Sequence, residues 1–281
     1  MTETPTGGSQ PRQLPDLGPR TVTPTIRASL LLGRTVMHCF TRVDVGPLEG
    51  LPANGALIIA SNHLSNADPP LIASWLTPAL GRAVHWMAKQ EALEWPIAGA
   101  FLKANGCFGI RRDAPDSEAF RLAKRVLDEG RVLGTFPEGT RSRTGALQQA
   151  KDGVTLLAIR SGSPILPVGV WGTERFWPRG SKVWRVGATV HLRVGEPFTL
   201  ERRTVDGKRE DLEQVTARLM ERIAALLPPA YRGAYAMTTS SGIGVEGRGV
   251  GAAAGADVDG DGVSPSGTDA DASPAEPVDR A

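Results

Sequence analysis

Between about Gly50 and Ala225 the chain alternates short apolar runs with longer segments in which apolar residues recur at helical spacing. The predicted strands are Leu57–Ser61, Val84–Ala88, Cys107–Arg111, Arg131–Phe136, Ile165–Gly169 and Val183–Val194, the last as one strand or two. The predicted helices are Pro69–Leu76, Ile97–Lys103, Ser117–Glu129, Gly153–Arg160 and Arg209–Leu227. This alternation predicts an α/β fold, a single domain with a mixed, partly parallel sheet flanked by helices.

The two ends of the chain differ from this middle part in composition. Residues 1–24 are rich in Pro, Thr, Gly and Gln, and we expect them to be disordered. From Ala236 onward Gly, Ala, Ser, Asp and Pro dominate, which predicts a disordered acidic tail over residues 236–281. The folded domain is therefore expected to span residues 25–235.

The charge of the chain is divided between these parts. The tail carries eight acidic and two basic residues, and its net charge of −6 leaves +8 on residues 1–235 out of a total of +2. A basic body favours anionic partners: phosphorylated substrates, nucleic acid or an anionic membrane surface. Aromatic residues make up only 5% and do not alternate with basic runs, which weighs against nucleic acid.

Residues 26–43 predict an amphipathic helix with Arg27, Arg34 and Arg42 around an apolar face. Such a helix can lie in a membrane interface or pack on the domain, and the sequence leaves both open. No uncharged apolar run approaches the roughly 20 residues of a membrane span, and no secretory signal is evident. Cys39 and Cys107 fit neither a zinc motif nor a disulfide framework, which favours a reducing compartment.

His63 and Asp68 lie five positions apart, directly after the predicted strand Leu57–Ser61. An imidazole that titrates near neutral pH can take a proton from an alcohol, and a neighbouring carboxylate can fix its tautomer. Pro69 and Pro70 suit a first helical turn, which would place Asp68 at the N-cap. Taken alone, the pair is more often a surface histidine followed by an ordinary cap.

Three further clusters follow in the order Gly106–Arg112, Phe136–Ser142 and Pro164–Gly169. Arginine makes bidentate contacts to phosphate, so Arg112 and Arg141 at strand ends could hold one. Gly139 permits an unusual backbone angle, and Glu138 could accept hydrogen bonds from ligand hydroxyls. Ordinary alternatives are a solvated arginine pair, a turn and a rigid loop. Because ligands bind beyond the carboxyl ends of strands in open α/β sheets, His63, Arg112 and Glu138 could converge.

Together these motifs resemble the glycerophospholipid acyltransferase family over about Val43–Leu200. The resemblance rests on Asn62-His63-x4-Asp68, Gly106–Arg112, Phe136-Pro137-Glu138-Gly139-Thr140-Arg141-Ser142 and Pro164–Val168, in that order. It implies a glycerol-3-phosphate acyltransferase-like fold.

The resemblance also implies a role for each matching residue. His63 would be the general base and Asp68 the carboxylate that orients it. Arg112, or its neighbour Arg111, would bind the acceptor phosphate with help from Lys89. The third motif would bind the glycerol phosphate through Glu138, Gly139, Thr140 and Arg141. Pro167 would belong to the acyl donor pocket.

The implied activity is transfer of a fatty acyl group from acyl-CoA or acyl carrier protein to 1-acylglycerol 3-phosphate, in phospholipid biosynthesis. No metal or redox cofactor is implied, since the thioester is a co-substrate. We expect a peripheral enzyme on the cytoplasmic face of the membrane, without a membrane span. Alternatives are another acceptor (glycerol 3-phosphate, another lysophospholipid or a lipid-linked sugar) or a non-catalytic membrane-surface module. A serine hydrolase is disfavoured because GxSxG is missing.

Overall fold

The computed structural model describes residues 16–110, 116–202 and 208–236. The α-helices in these ranges are α1 Pro24–Phe40, α2 Asp68–Leu80, α3 Gln90–Glu94, α4 Pro96–Ala104, α5 Asp116–Asp128, α6 Gly153–Ser161, α7 Thr173–Phe176 and α8 Leu212–Ala225. The strands are β1 Thr41–Val45, β2 Leu57–Ser61, β3 Val84–Lys89, β4 Phe108–Ile110, β5 Val132–Thr135, β6 Ile165–Trp171 and β7 Ala188–Val194. Two short 3₁₀ helices, Pro229–Tyr231 and Gly233–Tyr235, follow α8.

The described strands form one seven-stranded sheet in the order β1-β7-β6-β2-β5-β3-β4. Strands β2 to β6 run parallel to one another, β7 pairs antiparallel with β6, and β1 pairs parallel with β7. The predicted α/β class with a mixed, partly parallel sheet is confirmed. The carboxyl ends of β2, β3, β4 and β5 lie at one edge of the sheet, which is where a ligand site is expected.

Apolar residues cover both faces of the sheet. Ile58, Ala60 and Leu133 pack with α5, α6 and α8, whereas Leu57, Ile59 and Val132 pack with α1 and α2. All five residues of β2 are buried, as expected for a strand covered on both sides. This buried central strand fixes the position from which the loop with His63 leaves the sheet.

The amino-terminal part of the domain differs from the predictions in two ways. The helix ends at Phe40, and residues 41–45 form β1, because the chain there finds an unpaired edge of β7. Residues 16–23 were expected to be disordered but pack on the domain. Leu17 is buried, and its carbonyl oxygen lies 3.0 Å from Nδ1 of His85. A segment of low mean hydropathy can thus still pack on the domain through a single apolar side chain, here Leu17.

The predicted strand Val183–Val194 begins only at Ala188. The amide of Arg185 donates to the carbonyl of Phe176, and that of Val183 donates to the hydroxyl of Ser181, so these residues form a loop. The strand Leu57–Ser61 is present with the predicted ends, and the other predicted strands and helices are present with shifted ends. None of the helices in the described ranges is both long and apolar enough to cross a membrane.

Candidate active site

The loop after β2 places an imidazole and a carboxylate in contact. Nδ1 of His63 lies 2.8 Å from Oδ2 of Asp68, which is fully buried, while the His63 side chain is 16% exposed. The hydrogen bond puts the proton on Nδ1 and leaves Nε2 as the basic nitrogen. No described residue makes a hydrogen bond to Nε2. The ring can therefore accept a proton from a bound molecule.

Asp68 is held by four donors from two parts of the chain, residues 63–65 and Thr173. Besides His63, the amides of Leu64 and Ser65 donate to Oδ2 at 2.6 and 2.8 Å, and the hydroxyl of Thr173 donates to Oδ1 at 2.5 Å. Asp68 was predicted at the N-cap, but Ala67 occupies that position and Asp68 is the first helical residue. The carboxylate does not cap its own helix because the preceding loop folds back and supplies its amides.

Asn62 fixes this loop to the neighbouring strand β6. Its side-chain amide donates to the carbonyl of Val170 at 2.7 Å and accepts from the amide of Val170 at 2.8 Å. Both groups are buried, so the pair holds the loop firmly. The hydroxyl of Ser65 adds a third tie, to the carbonyl of Trp177 at 2.8 Å.

The His63 ring also belongs to an aromatic stack. It lies on Phe136 with ring centroids 3.9 Å apart and planes 15° apart, and Phe136 in turn stacks on Trp86 at 5.3 Å. Stacking limits rotation of the imidazole about its side-chain bonds. The sequence alone does not reveal the roles of Phe136, Trp86 and Thr173, although Phe136 begins the third motif and Thr173 follows the fourth.

Glu138 joins the loops after β2 and β5. Its Oε1 accepts from the backbone amide of His63 at 2.9 Å, and its Oε2 accepts from the amide of Gln148 at 3.0 Å. The backbone amide of Ser142 donates to the carbonyl of His63 at 2.7 Å, which closes the contact between the loops. Burial raises the pKa of Glu138, and the hydrogen bonds from His63 and Gln148 oppose this rise.

The rest of the third motif lies at the surface of the same edge. Gly139 has φ of +69°, the left-handed conformation that glycine tolerates, and its amide closes a turn to the carbonyl of Phe136. Thr140 is exposed. The Arg141 side chain is half-buried, and no described residue accepts a hydrogen bond from its guanidinium, which remains available for an anion.

The remaining predicted site residues are Lys89, Arg111, Arg112 and Pro167. Lys89 is exposed at the end of β3, in register with Ile110 of β4. Arg111 and Arg112 lie outside the described residues. Pro167 is buried in β6, in register with Ala60, and a β-carbon added at Gly195 would lie 3.0 Å from its Cγ. The carbonyl oxygen of Pro167 accepts from the amide of Gly195 at 2.9 Å, just beyond the end of β7.

A second histidine–aspartate pair shows that geometry alone does not define the site. Nδ1 of His191 lies 2.8 Å from Oδ2 of Asp44, and the His191 ring stacks on Trp171. Arg193 also binds this carboxylate at 2.6 Å, and Arg193 and His191 lower the pKa of Asp44. Asp44 is half-exposed and lies on the outer strand β1, away from the carboxyl ends of β2 and β5. In the described part of the chain, no three His, Cys, Asp or Glu side chains are grouped to hold a metal ion.

Comparison with known families identifies the domain. The family described as Acyltransferase matches residues 42–171, from β1 to the end of β6. The chain carries an acyltransferase domain. The predicted family is thereby confirmed, and the match includes His63, Asp68, Glu138 and Arg141.

Relatives of this acyltransferase domain share a description. The 1-acyl-sn-glycerol-3-phosphate acyltransferase of Borreliella burgdorferi is 31% identical over 156 residues, which cover 54% of this chain and 60% of that protein. The enzyme of the same description from Bacillus subtilis is 28% identical over 184 residues, covering 66% and 87%. The chain thus spans less than two thirds of the first relative and most of the second.

A solved structure has the same fold as the acyltransferase domain. The 1-acyl-sn-glycerophosphate (LPA) acyltransferase from Thermotoga maritima matches with a TM-score of 0.59 and 25% identity. The superposition covers 71% of this chain and 77% of that one. The predicted fold family is therefore confirmed.

Proposed function

We propose that this chain transfers a fatty acyl group from an acyl thioester to the free hydroxyl of 1-acylglycerol 3-phosphate. The observation that carries the proposal is the His63 ring, which is held through Nδ1 by Asp68 while Nε2 stays open to a ligand. Relatives described as acyltransferases for this acceptor support the same substrate class. The thioester carrier is CoA or acyl carrier protein.

In the proposed mechanism Nε2 of His63 takes the proton of the acceptor hydroxyl as its oxygen attacks the thioester carbonyl. The new carbon–oxygen bond forms, the carbon–sulfur bond breaks, and the imidazolium returns the proton to the leaving thiolate. Asp68 stabilises the imidazolium through Nδ1. The transfer is direct, without an acyl-enzyme, and requires no metal or redox cofactor.

The acceptor phosphate is proposed to bind basic side chains at the carboxyl edge of the sheet. Arg141 supports this role because its guanidinium has no acceptor among the described residues. Lys89 at the end of β3, and Arg111 and Arg112 after β4 in the chain, complete the proposed basic group. A phosphate held there would bring the hydroxyl close to His63. Gly139 and Thr140 would leave the turn open to the glycerol backbone.

Glu138 has a different proposed role from the one that the family resemblance implies. Both of its oxygens already accept hydrogen bonds from the protein, and the side chain is buried. We therefore propose that it positions His63 and does not contact the glycerol. Pro167 is proposed to shape β6 from within the sheet.

The test is an acceptor panel with one acyl-CoA and one acyl carrier protein thioester. Wild-type protein should acylate 1-acylglycerol 3-phosphate faster than glycerol 3-phosphate, other lysophospholipids or a lipid-linked sugar. His63→Ala should remove transfer to every acceptor, with circular dichroism unchanged. His191→Ala is the matched control, because it removes the other stacked, aspartate-bound histidine. Near wild-type turnover of His63→Ala would overturn the proposal, and a preference for another acceptor would change the substrate.

A further inference from the structure

The segment between α7 and β7 is basic and partly apolar, and the proposed chemistry does not use it. We refer to residues 178–187 as the 178–187 loop. From Arg175 to Gly195 the chain contains no Asp or Glu. Arg179, Lys182 and Arg185 lie in the loop itself and are exposed. The loop is therefore a cationic surface with no acidic residue of its own.

Apolar side chains project from the same loop. Val183 and Val186 are 70% and 74% exposed, and they alternate with Lys182 and Arg185 along the chain. Aliphatic side chains this exposed gain little burial in the isolated domain, whereas beside cations they suit a surface with acyl chains under anionic headgroups. This composition distinguishes the loop from an ordinary polar turn.

The loop has a fixed conformation. Nε1 of Trp177 donates to the carbonyl of Ser181 at 2.9 Å, and the amide of Arg185 donates to the carbonyl of Phe176 at 2.8 Å. Trp184 packs against Phe40, Phe176 and Trp177 with ring centroids 5.5, 5.5 and 5.7 Å away. Binding a surface therefore requires little additional ordering of the backbone.

The base of the loop is bonded to the candidate active site. Nη1 of Arg179 donates to the carbonyl of Arg141 at 2.8 Å. The hydroxyl of Ser65, in the His63 loop, donates to the carbonyl of Trp177. A surface that binds the loop consequently lies beside the carboxyl edge of the sheet.

We propose that the 178–187 loop binds an anionic lipid bilayer. Val183 and Val186 enter the interface between headgroups and acyl chains, while Lys182 and Arg185 contact lipid phosphates. This inference rests on the proposed function, because an acceptor that is itself a lipid gives the site a reason to lie at a bilayer. The site then meets its acceptor without withdrawing the whole lipid into water.

A second exposed apolar surface, on α4, serves as the comparison. Ile97 is 87% exposed, yet the surrounding stretch from Lys89 to Lys103 contains Glu91 and Glu94, so its net charge is zero. An anionic bilayer attracts the 178–187 loop electrostatically and does not attract this stretch. Ile97 is therefore the matched control for the effect of an exposed aliphatic side chain.

The experiment measures co-sedimentation of the full chain with acceptor-free vesicles. One set contains equal parts of phosphatidylglycerol and phosphatidylcholine, and the other contains phosphatidylcholine alone. Lys182→Gln/Arg185→Gln should weaken binding to the anionic vesicles, by about fivefold for each cation removed. Val183→Ser/Val186→Ser should weaken it about tenfold. Ile97→Ser should bind like wild type, and circular dichroism reports folding of every variant.

Three outcomes would overturn the inference. The first is wild-type vesicle binding by both double variants, and the second is an equal loss with Ile97→Ser. The third is that the loop variants bind vesicles as well as wild type does but selectively lose transfer from acyl carrier protein. The loop would then be a docking site for that acidic protein. His63→Ala should bind vesicles like wild type, because the proposed base takes no part in membrane binding. If the wild-type chain binds vesicles but transfers no acyl group, the proposed function is refuted and the inference about the loop is not.

Discussion

The backbone amide of His63 donates a hydrogen bond to Oε1 of Glu138 across 2.9 Å. This bond joins residues that are 75 positions apart and lie after two neighbouring parallel strands. The bond connects the His63 loop to the turn after β5, so displacement of the buried Glu138 carboxylate would also move the His63 ring. A substitution of Glu138 can therefore distinguish positioning of His63 from contact with the substrate.

Glu138→Gln should lower kcat about tenfold and leave KM for the acceptor nearly unchanged. The side-chain nitrogen of the new Gln must face either the backbone amide of His63 or that of Gln148. One of these buried donors then loses its acceptor, which lowers the free energy of unfolding by about 1–3 kcal/mol. Steady-state kinetics and urea unfolding measure the two effects. A higher KM with unchanged kcat would instead place Glu138 in contact with the acceptor.

Thr173→Val should lower kcat about tenfold by removing the hydroxyl that donates to Oδ1 of Asp68. The side chain keeps its shape, but a buried carboxylate oxygen loses a donor, which costs on the order of 1–3 kcal/mol of unfolding free energy. Thr173→Ser restores the hydroxyl and is expected to recover most of the activity. Equal activity of the Val and Ser variants would show that the Thr173 hydroxyl does not assist Asp68.

Arg141→Gln should raise KM for a phosphorylated acceptor about tenfold or more, with a smaller effect on kcat. The guanidinium has no acceptor within the described ranges, so its removal should disturb the ligand more than the fold. Arg143→Gln is the control, because Arg143 is exposed two positions further on. If both variants raise KM equally, a general basic surface binds the phosphate, and Arg141 has no special part.

The buried His85 should make stability depend on pH. Burial lowers its pKa to about 4 from an ordinary value of 6.5, and its Nδ1 lies 3.0 Å from the carbonyl oxygen of Leu17. Between pH 6.5 and 4 the unfolded chain binds a proton that the native ring does not, so stability falls as pH falls through this window, by about 3 kcal/mol at most.

His85→Asn tests this dependence. Its amide can replace the Nδ1–H donor but does not titrate in this range. Urea unfolding of wild type and variant at several pH values measures the difference, which isolates His85 from the other histidines. Parallel stability curves for the two proteins would show that another group dominates the acid sensitivity.

Much of the local structure could be predicted from the sequence. The limits of β2 agree with the prediction, because an apolar run between turn residues is fixed by neighbours along the chain. The His63–Asp68 contact is similarly local, since both residues lie in one loop between a strand and a helix. The order of the motifs was enough to indicate the acyltransferase family.

Contacts between distant segments could not be predicted in this way. Thr173 reaches Asp68 from 105 positions away, and Phe136 reaches the His63 ring from another strand, through a sheet order that no sequence period specifies. The run Val183–Val186 has strand-like residues but becomes a loop, because its backbone partners lie in the segment before it.

The sequence by itself determined most of the elements, the motifs and the candidate base, because these depend on residues close together in the chain. The tertiary structure decided which groups hold that base in place. Asp68 receives its hydroxyl donor, and His63 its Glu138 and Phe136 contacts, only when β2, β5 and β6 lie side by side. Pairing of strands distant in sequence is set by burial of the whole sheet, a property that no local segment carries.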